Sequence, residues 1–170
     1  MYQSLGMITL SFSLQGIDGD MAQSLSNVLI HTVFSTKDRC PHIIPPLQPE
    51  MHAYLAKICQ SLGCFVFKIG GVEDHVHLFT TLPRTLTQSS FIEEIKTSSS
   101  KWIKGKHPDL KIFSWQRGFG IFSICPTHID ALIHYIATQA EHHKDVDFKT
   151  EFRNLLKKNN LSFNEEYLWD

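Results

Sequence analysis

Two histidines separated by one residue, His75-Val76-His77, lie in the apolar run Val76, Leu78 and Phe79, directly after the turn-like stretch Gly70-Gly71-Val72-Glu73-Asp74. In a β-strand, residues i and i+2 point to the same side. Both imidazoles then project together while Val76 and Leu78 face a core. Two imidazoles held on a rigid strand are half of a metal site. Alone the pair carries little weight, because 10 histidines in 170 residues give about 0.6 such pairs by chance. Two structural surface histidines explain it equally well.

The second feature is the segment from Thr127 to Gln139, which reads as a helix. Pro126 precedes it, and Thr127 with Asp130 resembles a capping box. Ile129, Leu132, Ile133, Ile136 and Ala140 follow the spacing of a buried face. Tyr135 and Gln139, four residues apart, share another face that the core does not need. On the residues alone this is either a chemical face or a tyrosine half-buried at the core edge beside a solvated glutamine.

These motifs belong to six collinear blocks. They are Ser24-Leu25-Ser26 to Phe34-Ser35-Thr36-Lys37, Gly71 to Leu78, Ser99-Ser100-Lys101-Trp102, Trp115-Gln116-Arg117-Gly118-Phe119-Gly120, Tyr135 to His143, and Tyr167-Leu168-Trp169-Asp170. Through them the chain resembles, over residues 22–170, the single-tyrosine transposases of the HUH superfamily. These are the IS200-like enzymes of bacterial insertion sequences, related to the REP-associated tyrosine transposases. Val76 supplies the large apolar residue between the histidines. Phe119 stands where the family often has tyrosine.

The resemblance implies a DNA transposase that cuts and rejoins single strands at hairpin-marked ends through a 5′-phosphotyrosine, without ATP. Tyr135 is then the nucleophile, and His75, His77 and Gln139 are ligands of a divalent metal, Mg²⁺ or Mn²⁺. It further implies a homodimer whose composite sites each take the tyrosine helix from the partner, with free strand edges near Gly118 as one route to pairing. Lys37 and Arg39 are candidate phosphate contacts. So is the basic stretch from Lys96 to Arg117, which holds Lys96, Lys101, Lys104, Lys106, Lys111 and Arg117 against one acid, Asp109. Trp115 and Phe119 are candidate base-stacking residues. His142 and His143 are read as complements to a helix dipole, and no general base is assigned.

Rival readings fit less well. A histidine-triad nucleotide hydrolase needs histidine where Phe79 stands. A metallo-β-lactamase site needs an Asp-His pair where Thr80-Thr81 stands. A domesticated hairpin-binding regulator that no longer cuts is the alternative of a different class.

The elements that must position these residues follow from periodicity. A strand is expected over Asn27–Thr36, and a helix carrying Met51, Leu55, Ile58, Cys59 and Leu62 stops at Gly63. Phe65–Ile69 and His75–Leu82 form a hairpin. Ser90 caps a second helix with the stripe Ile92, Ile95, Ser99, Trp102 and Ile103. Phe113–Trp115 and Ile121–Ile124 form a second hairpin, and a last helix carries Phe148, Phe152, Leu155 and Leu156. This order argues for an α+β fold, an antiparallel sheet with helices packed on it. The resemblance implies a ferredoxin-like or RRM-like core.

Composition sets the remaining bounds. With 42% hydrophobic and 19% charged residues and a net charge of −1, the chain is an ordinary globular domain and no polycation. No membrane span is expected. The four cysteines, Cys40, Cys59, Cys64 and Cys125, lack metal-site spacing and are expected as free thiols in a bacterial cytoplasm. Residues 1–20 contain no Lys or Arg and are expected to lie outside a single domain spanning 21–170.

Overall fold

The computed structural model describes residues 24–169. The expectation for residues 1–20 therefore lies outside the described residues. Four strands, β1 (Leu29–Ser35), β2 (Val66–Gly71), β3 (His75–Thr81) and β4 (Gly120–Ser123), form one sheet in the order β2-β3-β1-β4. Every neighbouring pair is antiparallel. Because β3 lies between β1 and β2, the connection through α1 (Gln48–Ser61) skips one strand, which is the ferredoxin-like arrangement expected. The α+β reading holds. Among the described residues, no helix is long and apolar enough to cross a membrane.

Both faces of the sheet are covered. Ile30, Phe34, Val76 and Leu78 meet α1 and α2 (Gln88–Lys106) in the main core, with Met51, Leu55, Phe91, Ile95 and Ile103. On the other face Val33 and Phe122 meet α5 (Phe148–Lys158) through Phe148, Phe152 and Leu156. There too Leu29 and Phe79 meet α3 (Ile129–Ala137) through Ile136. The strand alternation that sends Val76 and Leu78 one way sends His75 and His77 the other, into a second buried layer.

Several local expectations hold. The first helix buries Met51, Leu55, Ile58 and Cys59. It is followed by Gly63 at φ +79°, the left-handed conformation that ends helices. The second helix begins earlier than expected. Its N-cap is Thr87, whose hydroxyl accepts the Ser90 N–H at 3.1 Å, so Ser90 lies inside the first turn. Trp102 is half-buried and stacks on Tyr54, with ring centroids 4.6 Å apart. Among the described residues all cysteines are free.

The second hairpin does not form. Trp115 bridges to Thr36, and Gly120 pairs with Val33, so both segments run along β1 rather than against each other. Between them the chain makes a short excursion. The Lys96 ammonium holds it, donating to the carbonyls of Gln116 (2.8 Å), Arg117 (3.2 Å) and Gly118 (2.7 Å). The free edge of β1 is long enough to satisfy both segments, and this pairing wins over a local turn.

The tyrosine helix also differs from its expected form. Thr127 is turned to Cys125 Sγ (3.2 Å) inside a 3₁₀ turn, Pro126–His128, so no capping box forms and α3 starts at Ile129 without a side-chain cap. At Thr138 the hydroxyl bonds back to the His134 carbonyl at 2.9 Å, and the helix breaks there. A short helix α4 (Gln139–His142) continues from the break. Gln139 is buried as a result, while Ala140, expected in the core, is exposed.

Gly70 sets how closely α3 sits on the sheet. A Cβ at this position would lie 2.6 Å from the Ile136 carbonyl oxygen and 2.7 Å from Ile136 Cγ2. Gly70→Ala is expected to lift α3 and to cost about 1–3 kcal/mol, the usual penalty of overpacking. Urea unfolding of the two proteins checks this.

Candidate active site: a histidine–carboxylate cluster beside a tyrosine

The two central strands supply the floor of the site. His75 and His77 on β3 are both 0% exposed, and His31 on β1 lies beside them on the same face. Each β3 histidine is fixed through its Nδ1. His75 Nδ1 bonds to Asp74 Oδ1 at 2.7 Å, and His77 Nδ1 to His31 Nε2 at 2.9 Å. The Nε2 atoms are thereby turned toward the helices that cover this face.

Those helices deliver the other groups. From α3, Tyr135 stands perpendicular to the His77 ring at a centroid distance of 5.8 Å. Gln139, the first residue of α4, places Oε1 3.2 Å from His75 Nε2 and 3.0 Å from His143 Nε2. From α5 comes Glu151, 2% exposed. Its Oε2 lies 3.6 Å from His75 Nε2, 3.5 Å from His77 Nε2 and 3.2 Å from His143 Nε2. Its Oε1 accepts the Tyr135 hydroxyl and, at 3.0 Å, the Gln139 amide.

Charge and burial oppose each other here. Burial disfavours ionised Glu151, yet the facing His143, His77 and His75 outweigh it and hold the carboxyl well below the usual carboxylate range. Burial pushes His77 down to about 4 against the pull of Glu151. Burial also works against a proton on His143, but Glu151 outweighs it and raises the group. Tyr135 is pushed above the ordinary phenol value by burial and then by the charge and hydrogen bond of Glu151, with Gln139 pulling weakly the other way.

The residues fit a metal ion. Ligand atoms of His75, His77, His143 and Glu151 all lie within 4.8 Å of one another. Metal–ligand bonds of about 2.0–2.2 Å set their ligands roughly 3–4.4 Å apart, so little adjustment is needed. His77 Nε2 and Glu151 Oε2 are buried and, with the facing nitrogens and oxygen 3.2–3.6 Å away, neither makes a well-formed hydrogen bond. Such orphaned atoms are costly unless something satisfies them, and a shared cation would satisfy both.

His75, His77, Tyr135 and Gln139, chosen from the sequence, are thus brought together. Glu151 and His31 were missed, and His143 belongs to the cluster rather than to a helix dipole. The signal for Glu151 was present. It occupies a core position in the spacing Phe148, Glu151, Phe152, Leu155, where a carboxylate is unexpected unless paired.

The expected DNA contacts divide. Lys101 and Lys104 are exposed on α2, on the far side of the sheet from Tyr135. Lys96 is committed to the three carbonyls above, and burial lowers its pKa to about 8. Trp115 is a core residue whose Nε1–H donates to Ser99 Oγ at 2.9 Å, so it offers no face for stacking. Phe119 is 40% exposed and Arg117 is exposed beside it. Lys37 and Arg39 lie on the turn after β1. Arg39 lines a cleft of about 260 Å³ with Asp74, Lys149 and Arg153, next to His75. A larger cleft of about 490 Å³ opens beside Tyr135, His31 and Glu151.

No curated protein matches the chain. Solved structures share its fold, two transposases among them. A candidate transposase from Deinococcus radiodurans R1 superposes with a TM-score of 0.58 at 17% identity, covering 71% of this chain and 97% of its own. A REP-associated tyrosine transposase bound to a REP hairpin gives a TM-score of 0.55 at 17% identity and 76% coverage of both chains. The model of the "Transposase IS200 like" family matches residues 24–139, the stretch that carries His75, His77, Tyr135 and Gln139, and the chain belongs to that family.

Proposed function

We propose that this transposase cuts and rejoins single-stranded DNA at hairpin-marked ends, with Tyr135 as nucleophile and a divalent ion held by the histidine–carboxylate cluster. One observation carries the reading. Glu151 presents one oxygen to the Tyr135 hydroxyl and the other to the three imidazoles, so the nucleophile and the ligand set meet on a single carboxylate. A regulator that only binds hairpins has no need of such an arrangement.

Tyr135 Oη attacks the scissile phosphorus from the side of the larger cleft. The Glu151 carboxylate orients the phenol through its hydrogen bond, the phenol proton is lost to solvent in the cleft as the bond to phosphorus forms, and the 3′-oxygen leaves with its bonding pair and takes up a proton from solvent. The phosphodiester energy is conserved in the phosphotyrosine, so the reverse reaction rejoins strands without ATP. His75, His77, Gln139, His143 and Glu151 would hold the ion. It supplies Lewis-acid stabilisation of the charge developing on the phosphate. Three imidazoles favour Mn²⁺ over Mg²⁺. Arg39 and Lys37 at one end, and Arg117 and Phe119 on the excursion beside β4, are proposed contacts along the strand.

The proposed dimer exchanges tyrosine helices. In the structure Tyr135 docks on the cluster of its own chain, between the connections Cys125-Pro126-Thr127 and Lys144-Asp145. The same contacts made by a second subunit give the composite site.

Three outcomes are expected. Tyr135→Phe retains binding to a hairpin oligonucleotide but forms no covalent adduct on a denaturing gel, and an adduct in that variant removes Tyr135 from the nucleophile's role. Mn²⁺ at a hundredfold over its Kd stabilises the protein by about 2.7 kcal/mol. In a chain of this size that is a Tm rise of roughly 5–10 °C. EDTA reverses the rise, and His75→Ala or His77→Ala abolishes it. Finally, mixing His75→Ala with Tyr135→Phe restores cleavage to roughly a quarter of wild type, because up to about half of randomly exchanged dimers carry one intact site. A silent mixture that demonstrably exchanges subunits assigns Tyr135 to its own cluster.

A further inference from the structure

We propose that His31 is a positioning residue that fixes the His77 tautomer, so that His77 Nε2 presents a lone pair to the cluster. This rests on the metal reading above. The geometry is specific. His31 is 2% exposed, its Nε2 lies 2.9 Å from His77 Nδ1, and the two ring planes are only 20° apart at a centroid distance of 5.1 Å, as an edge-to-edge hydrogen bond requires.

In a hydrogen bond between two imidazole nitrogens, one donates and the other accepts. His77 has only two ways to make this bond. Protonated on Nδ1, it donates to His31 and leaves Nε2 free as a ligand. Protonated on Nε2, it accepts at Nδ1 and turns an N–H toward Glu151 Oε2, 3.5 Å away, with no lone pair left for a metal. His31 selects the first form when its own proton sits on Nδ1. His31 is also a member of the wall of the larger cleft beside Tyr135.

The residue type follows from the surroundings. Histidine ligands usually orient themselves on a carboxylate, a carbonyl or water. Asp74 does this for His75 at the rim of the site. His77 lies under α3, against the rings of Tyr135 and His31, and His31 in turn meets Phe122. A second carboxylate there would be a buried charge without a partner. A neutral imidazole accepts the hydrogen bond without adding charge. The two β3 ligands are therefore held by unlike partners, one anionic and one neutral.

The test uses the metal-free, full-length protein. Titration with Mn²⁺, followed by the electron paramagnetic resonance of the free ion, gives the affinity without DNA. His31→Leu removes the acceptor and is expected to weaken binding about 10–100-fold, the usual effect of losing such a partner. His31→Gln keeps an acceptor oxygen and is expected to stay within about threefold of wild type. The ¹⁵N shifts of the His77 imidazole supply a second readout. They are expected to report Nδ1–H in wild type and loss of that single form in His31→Leu. If His31→Leu does not fold, His31→Phe keeps an aromatic ring without an acceptor and takes its place. A folded variant with wild-type affinity, or an unchanged His77 tautomer, overturns the proposal. If the wild-type protein binds no Mn²⁺, the metal reading falls, and the ¹⁵N shifts still decide whether His31 sets the tautomer.

Discussion

The structure depends on one buried carboxylate. Glu151 sits among apolar neighbours on α5, and taking its charge out of water costs several kcal/mol unless partners repay it. His75, His77 and His143 surround one oxygen, and Tyr135 and Gln139 hold the other. These five groups come from β3, α3, α4 and the residue just after α4. Displacing any of those elements leaves the charge short of partners. The carboxylate therefore links the packing of the outer layer to the geometry of the site.

The sheet makes this possible by being covered on both sides. The inner core of Ile30, Phe34, Val76 and Leu78 with α1 and α2 is predominantly apolar and holds β1 and β3 rigid. Their opposite face can then carry His31, His75 and His77 without loss of the core. Close approach matters as well. Gly70 lets Ile136 sit directly on β2, and this depth brings Tyr135, one residue earlier on α3, over His77. Gly120 plays the same part on the other flank, where a Cβ would meet the Phe122 and Phe152 rings at 2.8 Å.

Positive charge follows the same division. With no net excess of cations, attraction for a phosphate backbone must come from local placement. Arg39, Lys149 and Arg153 gather around the Trp169 ring at 5.8, 5.2 and 5.0 Å on the side of the cluster. Lys101 and Lys104 stand behind the sheet. A basic run in sequence and a basic surface near a site are different things, because a helix distributes its charges around an axis and packs only one side.

Much of the fold was legible in the sequence because periodicity records which face is buried. The alternation around His75 and His77 placed them together on a strand, and the spacing of Ile129, Leu132, Ile133 and Ile136 placed Tyr135 on a helix. Family resemblance then named Tyr135, Gln139 and the two histidines as one site. Tertiary structure decided what local pattern does not encode. The second hairpin gave way to the longer edge of β1, since pairing partners compete across the whole chain. Glu151, His143 and His31 joined the site only because α5, the end of α4 and β1 converge on β3, and sequence separation carries no record of that convergence. Helical spacing put Glu151 on an apolar face; only the folded chain showed the imidazoles that make a charge tolerable there.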